Sequence, residues 1–262
     1  MSAHSKVRWR FATQFALAAM VLFFALGATA QTTNALSDAE IHGRQLAQKL
    51  LEQQPAENFT NTGVLEIRDA KKMHLGVPVV CKALVTPTNW QSIYEADGIA
   101  TLTVIHAAGQ LNRYFYRPFL GDGPMPLSLF QSQSQSNGLA STDLLFPFCG
   151  SDFWICDLGL EFLHWPGQKI LRGDTARGRL CKVLESTNPN PSTNGYSRVL
   201  CWIDNEALGI VEAKAYDAQN KLLKEFYPKD IKKVNGQWQV GSMEIDNVQT
   251  GSRTKLEFDL KK

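Results

Sequence analysis

Tyr196-Ser-Arg-Val-Leu-Cys-Trp-Ile-Asp204, Tyr216-Asp-Ala-Gln-Asn-Lys-Leu-Leu-Lys224, Gly236-Gln-Trp238 and Thr250-Gly-Ser-Arg-Thr254 follow one another at strand-and-turn spacing. Short runs rich in β-branched and aromatic residues, punctuated by Asn, Asp and Gly, read as an antiparallel meander. Several of the runs are apolar on both faces, which suits a curved sheet covered on each side. The chain of 262 residues, 44% hydrophobic and 20% charged, is long enough to bury one sizeable core as a single domain over residues 31–262.

The first thirty residues have a different composition. Lys6, Arg8 and Arg10 precede the apolar run Phe11 to Leu26, and Ala28-Thr29-Ala30 follows. This is the three-part layout of a secretory signal, with cleavage expected after Ala30. The run is shorter than the roughly twenty apolar residues of a bilayer span. Removing its three cations leaves 24 basic against 25 acidic residues, a net charge of −1. That balance argues against nucleic acid, whose phosphates require a basic face.

All five cysteines lie beyond the signal. In an oxidising compartment such as a periplasm they are candidates for pairing. The strands Arg177 to Glu185 and Tyr196 to Asp204 flank a loop crowded with Asn, Pro, Ser and Gly. Folded symmetrically about it, Cys181 faces Cys201 at a separation compatible with a disulfide. In that register Leu180, Leu184, Leu200 and Trp202 share one face, and Cys181, Val183, Val199 and Ile203 the other. A second link between Cys149 and Cys156 is the further candidate, leaving Cys81 as a buried thiol. No CxxC or zinc-site spacing is present, so no metal is expected.

Towards the N-terminus, Ser37-Asp-Ala-Glu40 is a capping box ahead of a helix running to about Gln53, with Leu46, Leu50, Ala47 and Leu51 as its apolar stripe. Pro55 ends it. From Thr62 the period becomes two, with Leu65 and Ile67 alternating against Val64, Glu66 and Arg68. Further strands are expected over Val77 to Val85, Trp90 to Glu95, Ala100 to His106 and Asn112 to Arg117. Turns fall at Gly98 and Ala108-Gly109. Without intervening helix patterns, antiparallel pairing is favoured over βαβ crossovers.

The middle is less regular. Gly121 to Pro126 and the low-complexity tract Gln131 to Asn137 read as loops. The segment Asp143 to Trp165 then concentrates Phe146, Phe148, Phe153, Trp154, Phe162 and Trp165, which fill a core or line a hollow.

Gly150-Ser-Asp-Phe-Trp154, Asp157-Leu-Gly-Leu-Glu-Phe162, Cys201-Trp-Ile-Asp204, Ala215-Tyr-Asp217, Leu222-Leu-Lys224, Gly236-Gln-Trp238 and Thr250 to Thr254, in this order, resemble outer-membrane lipoprotein-sorting proteins of the LolA-like family. Pro55 to Gly63 and Val85-Thr-Pro-Thr-Asn-Trp90 extend the resemblance over nearly the whole exported chain. It implies a mainly β fold in which a strongly curved antiparallel sheet forms an incomplete barrel around a few helices, with acyl chains in its hollow. On that reading Phe153, Trp154, Phe162, Trp165 and Trp202 approach lipid. The expected role is a periplasmic carrier of lipoprotein acyl chains or other lipid, taken from an inner-membrane donor and given to an outer-membrane acceptor. The alternative is a lipid-responsive sensor module.

An enzyme finds little support. No Gly-x-Ser-x-Gly surrounds Ser151, and neither His-Glu-x-x-His nor a phosphate-cradling loop occurs. His106 and His164 read as structural; Asp152, Asp157 and Glu161 can be pictured as paired carboxylates for hydrolysis, but Asp152 and Glu161 serve equally well as turn and surface residues. No cofactor is expected.

Overall fold

The computed structural model describes residues 36–118, 143–234 and 237–260. The expected signal segment and the loops at Gly121 to Pro126 and Gln131 to Asn137 lie outside the described residues. Leu36–Lys262 cluster into one compact unit.

The capping box at Ser37 forms. The Ser37 amide donates to Glu40 Oε2 at 2.8 Å, and helix α1 (Asp38–Leu51) buries Gly43, Leu46, Ala47 and Leu50. Among the described residues twelve strands follow: β1 (Phe59–Arg68), β2 (His74–Val85), β3 (Asn89–Ala96), β4 (Ala100–Ala107), β5 (Arg113–Pro118), β6 (Gly167–Ala176), β7 (Arg179–Thr187), β8 (Arg198–Asp204), β9 (Ile210–Tyr216), β10 (Leu222–Val234), β11 (Gln237–Asn247) and β12 (Ser252–Phe258). They make one antiparallel sheet in the order β5-β4-β3-β2-β1-β12-β11-β10-β9-β8-β7-β6. The sheet is not closed, since β5 and β6 stand at opposite edges. This is the incomplete barrel expected.

That strand order dictates where the irregular middle goes. β5 and β6 are consecutive in sequence yet occupy opposite edges, and the described part of the chain between them, residues 143–166, packs against the core face of the sheet. This segment carries 3₁₀ turns at Asp143–Leu145, Phe148–Gly150 and Glu161–His164, and the one-turn helix α2 (Ile155–Leu158). Phe148, Phe153, Ile155, Phe162 and Leu163 are buried along it, in the same core as Leu65, Val79, Leu102 and Leu184 from the sheet. It forms a plug inside the curve.

Helix α1 packs on edge strand β6 through Gly43. A Cβ at that position would lie 2.6 Å from the Lys169 backbone N and Cα. Backbone cannot swing aside as a side-chain end can, so G43A forces the helix to lift. Overpacking of this kind costs about 1–3 kcal/mol, against up to about 1 kcal/mol gained from alanine's helix propensity. Thermal unfolding should show G43A melting a few degrees lower; an unchanged Tm would mean that the helix moves freely on β6.

The sequence expectation for β6 and β7 needs correction. Arg177 and Gly178 are not strand residues but the two central residues of a tight hairpin, with φ of 48° and 77°. Positive φ at both positions is the type I′ pattern that matches strand twist, and Gly178 takes it without a Cβ penalty. β6 itself was not expected, because Gly167, Gly173 and Asp174 obscure its alternation.

The disulfides also need correction: all five cysteines are free. The β7–β8 strands do not close symmetrically about their loop. Asn188 N donates to Ser197 O at 2.8 Å and Asn188 Nδ2 to Tyr196 O at 3.2 Å, which ends the loop at that pair. Cys181 therefore opposes Asp204, and Cys201 opposes Leu184. The offset from the expected pairing is three residues, and an odd offset exchanges the two faces of a strand. Cys201, Val199, Ile203 and Leu184 face the main core, whereas Cys181, Val183, Leu200 and Trp202 form a separate small cluster with Ala176. Cys149, in a left-handed turn at φ 53°, and Cys156 on α2 are likewise unpaired. Losing a native disulfide typically costs about 2–5 kcal/mol. Dithiothreitol should thus leave Tm unaltered; a clear fall would show that a bond forms.

Candidate functional site

Behind the plug the sheet encloses an open hollow of about 1440 Å³. It exceeds the roughly 300–1,000 Å³ of ordinary small-molecule pockets. Native cores are close-packed, so a space this large needs a cause in the side chains. One is the placement of small residues on inward positions: Ala83, Ala213 and Ala215 lie on the wall where larger side chains would fill the curve. Val199, Phe226, Met243 and Ile245 supply apolar surface beside them. Phe59, Leu160, Ile231 and Val240 also line the hollow and are at least one-third exposed, marking its mouth.

The expected aromatic residues separate. Phe153 and Phe162 line the hollow from the plug. Trp154 stands behind them, stacked on Tyr196 with ring centroids 4.7 Å apart, and Trp165 meets Phe162 edge to face at 6.5 Å. Trp202 belongs to the small cluster on the opposite face of the sheet and donates from Nε1 to Asp174 Oδ2 at 3.0 Å. The same odd register offset that separates the cysteines turns Trp202 away.

Sequence reasoning missed the polar floor of the hollow. Lys224 on β10 is 2% exposed. Its ammonium donates to Asp152 O at 2.7 Å, pairs with Asp157 Oδ2 at 3.3 Å and sits 3.4 Å from the Trp154 ring centroid. Asp157 also accepts from the Trp154 amide at 2.8 Å and from the Tyr196 hydroxyl at 2.9 Å. Burial pushes the Lys224 pKa down while Asp157 pulls it back up. Burial likewise pushes the Tyr196 phenol well up. Asp152 is bound by Ser252 Oγ at 2.6 Å and Thr254 Oγ1 at 2.9 Å on β12. Asp152, expected at a turn or the surface, and Asp157 instead bolt the plug to β10, β12 and the loop before β8. The motifs around Asp152, Asp157, Lys224 and Thr254 were visible in the sequence as segments, but their convergence required the fold.

At the other side Tyr114 Oη donates to Glu161 Oε2 at 2.8 Å, and Asn112 Nδ2 donates to Gly159 O at 2.8 Å. Burial raises the Glu161 carboxyl. His106 lies flat on Trp90, with ring centroids 3.8 Å apart, and its Nε2 is 2.9 Å from Ser92 Oγ. Burial lowers its pKa to about 4, against a smaller opposing pull from the Asn112 side chain. Trp90, Ser92 and His106 all line the hollow. His164, in the last turn of the plug, is half-buried and its pKa is also pushed down by burial.

The lysines and arginines on the lining are matched. Lys82 pairs with Glu95 at 2.7 Å, Lys229 with Glu244 at 3.3 Å, Arg177 with Glu212 at 3.9 Å, and Arg179 with Asp204. Among the described residues no helix is long and apolar enough to cross a membrane.

Three solved structures share this architecture. A putative outer membrane lipoprotein-sorting protein domain from Vibrio parahaemolyticus is 18% identical, with a TM-score of 0.66 over 84% of this chain and 92% of that one. A DUF1329 family protein from Desulfovibrio piger is 16% identical, with a TM-score of 0.64 over 85% and 92%. A LolA superfamily protein from Nitrosomonas europaea is 16% identical, with a TM-score of 0.54 over 86% and 93%. At these identities the likeness is one of fold. No curated protein matches the chain. A model of a family described as uncharacterized proteins matches residues 91–261.

Proposed function

Since the chain belongs to the family of uncharacterized proteins whose model spans residues 91–261, and since that span contributes most of an apolar hollow, we propose that it is a lipid carrier of the bacterial periplasm. The observation that carries this reading is the hollow of about 1440 Å³ walled by sheet and plug. Each acyl methylene left in water costs about 0.8 kcal/mol, so a chain-bearing lipid crosses an aqueous compartment only if its apolar part is covered. Phe153 and Phe162 on the plug, facing Phe226 and Met243 on the sheet, offer that cover. The cargo is the acyl chains of lipoproteins or another envelope lipid, received from an inner-membrane donor and passed to an outer-membrane acceptor. The names of the structures that share the fold, two of them lipoprotein-sorting or LolA proteins, support the direction of traffic. No catalytic step is assigned to it.

The N-terminal thirty residues are its export signal, cleaved after Ala30. Native mass spectrometry of the protein recovered from its own envelope tests both points. The expected species begins at Gln31 and carries a lipid that delipidation removes and added lipid restores. Protein that neither retains nor takes up lipid would overturn the carrier role. Transfer of a fluorescent lipid to acceptor vesicles separates a carrier from a sensor, which would hold the lipid without releasing it.

A further inference from the structure

Two strands run past the rest of the sheet. β9 pairs with β10 only as far as Phe226, and β12 with β11 only from Ser242. Beyond those points the register joins Ile231 to Val240, Lys232 to Gln239, Lys233 to Trp238 and Val234 to Gln237. Among the described residues, β10 and β11 pair there with each other alone. A two-stranded ribbon of this kind is at best marginally stable in water unless its apolar side lies on something. Ile231 and Val240, 52% and 39% exposed, stand opposite each other on it, and both line the mouth of the hollow. Phe59 on β1 and Leu160 on the plug are exposed apolar residues of the same lining. The ribbon is also basic. Lys229-Asp-Ile-Lys-Lys-Val234 sets three lysines against one carboxylate, and Lys229 pairs with Glu244. Lysines along a strand edge discourage pairing between chains, but that role leaves the Ile231–Val240 pair in water.

We propose that the β10–β11 ribbon seats the mouth of the hollow on a bilayer that contains anionic lipid, with Ile231 and Val240 entering the boundary between headgroups and acyl chains. Apolar side chains beside lysines, with a tryptophan close by in the chain, are the composition that settles at such an interface. Continuity with the hollow selects a bilayer as the occupant. Because Ile231 and Val240 belong to the lining, a lipid leaving the bilayer there passes from one apolar surface to the next without exposing its methylenes to water. The positive charge of Lys232 and Lys233 directs the ribbon to anionic headgroups.

This inference rests on the lipid-carrier reading, and two measurements on the delipidated wild-type protein keep them apart. Uptake of the fluorophore N-phenyl-1-naphthylamine without vesicles reports on the hollow. Flotation with phosphatidylcholine vesicles, with and without phosphatidylglycerol, reports on the ribbon. The protein should float with the mixed vesicles and bind the pure phosphatidylcholine ones at least about fivefold more weakly, the effect of a lysine near an anionic surface. I231D/V240D should lose at least about tenfold in binding to the mixed vesicles. M73D/L75D makes the same change at two exposed apolar residues that do not line the hollow, and it should float as wild type does. Wild type that takes up the fluorophore but does not float, or that binds both vesicle types equally, would overturn the docking surface without needing a variant. So would an I231D/V240D protein that floats normally, or an equal loss in M73D/L75D. Binding that requires a second protein in the vesicle would also overturn it and give the ribbon to that protein. Each of these outcomes leaves the carrier reading standing. If the fluorophore is not taken up at all, the carrier reading falls and this inference with it.

Discussion

Replacing Asp157 by Ala should lower the stability of the folded chain by about 3–5 kcal/mol, the cost of breaking a buried ion pair from one side. The asymmetry of burial sets the size of the effect. The Lys224 side chain is 2% exposed and that of Asp157 14%, so the cation left behind has almost no water to turn to. It would keep the Asp152 carbonyl and the rings of Trp154 and Tyr196. The Trp154 amide and the Tyr196 hydroxyl lose their acceptor in the same step. For a chain of this size the loss amounts to a fall on the order of 10 °C in Tm, measurable by calorimetry. Removing Lys224 as well, as Met, should recover much of it, since a buried pair replaced by apolar groups is often neutral. A single D157A variant within about 1 kcal/mol of wild type would show that the plug is held by packing alone.

The second large effect is acid sensitivity. The unfolded chain protonates His106 near its ordinary pKa of 6.5, whereas the folded chain, with the ring buried on Trp90, does so only at about 4. Between those values the unfolded chain holds the extra proton. Stability is therefore fully present above about pH 6.5 and is lost as pH falls towards 4. At about 1.36 kcal/mol per unit, the loss approaches roughly 3 kcal/mol at the acid end. His164, also pushed down by burial, acts in the same direction, while the raised Glu161 carboxyl opposes both by holding its proton in the folded state. Denaturant melts at pH 7 and 4.5 on wild type and H106Q isolate one ring from the others. The variant should lose distinctly less stability between the two; parallel losses would mean that His106 does not titrate as the fold requires.

Local signals were read well where the rule was local. The capping box at Ser37, the alternation of Leu65 and Ile67, and the turns at Gly98 and Gly109 each depend on a few neighbouring residues, and each stands where expected. Register was the point of failure. Which residue of β7 meets Cys201 is fixed by how Asn188 and Ser197 close the loop, and composition does not encode that choice. A three-residue error there moved Cys201 and Trp202 of β8 to the wrong faces at once. The site was legible in proportion to its hydrophobicity: Phe153 and Phe162 announced themselves, whereas Lys224 and Asp157 are 67 positions apart and meet only through the plug. Ser92 escaped, and its contact with His106 with it, because a cross-strand diagonal between two polar residues leaves no spacing motif.

The central seam of the sheet sets the timing of folding. β1 takes β12 as its second neighbour, and Thr62 Oγ1 bonds Asp259 across 197 positions. Until the last strand emerges, β1 and β11 are both bare edges, and unpaired edges are templates for association between chains. Contacts of such sequence separation also make for slow folding. A chain truncated before Ser252 would keep nearly all of its hydrophobic wall yet be left as two unjoined half-sheets. Its fate is aggregation, because both halves would then present a bare inner edge at once.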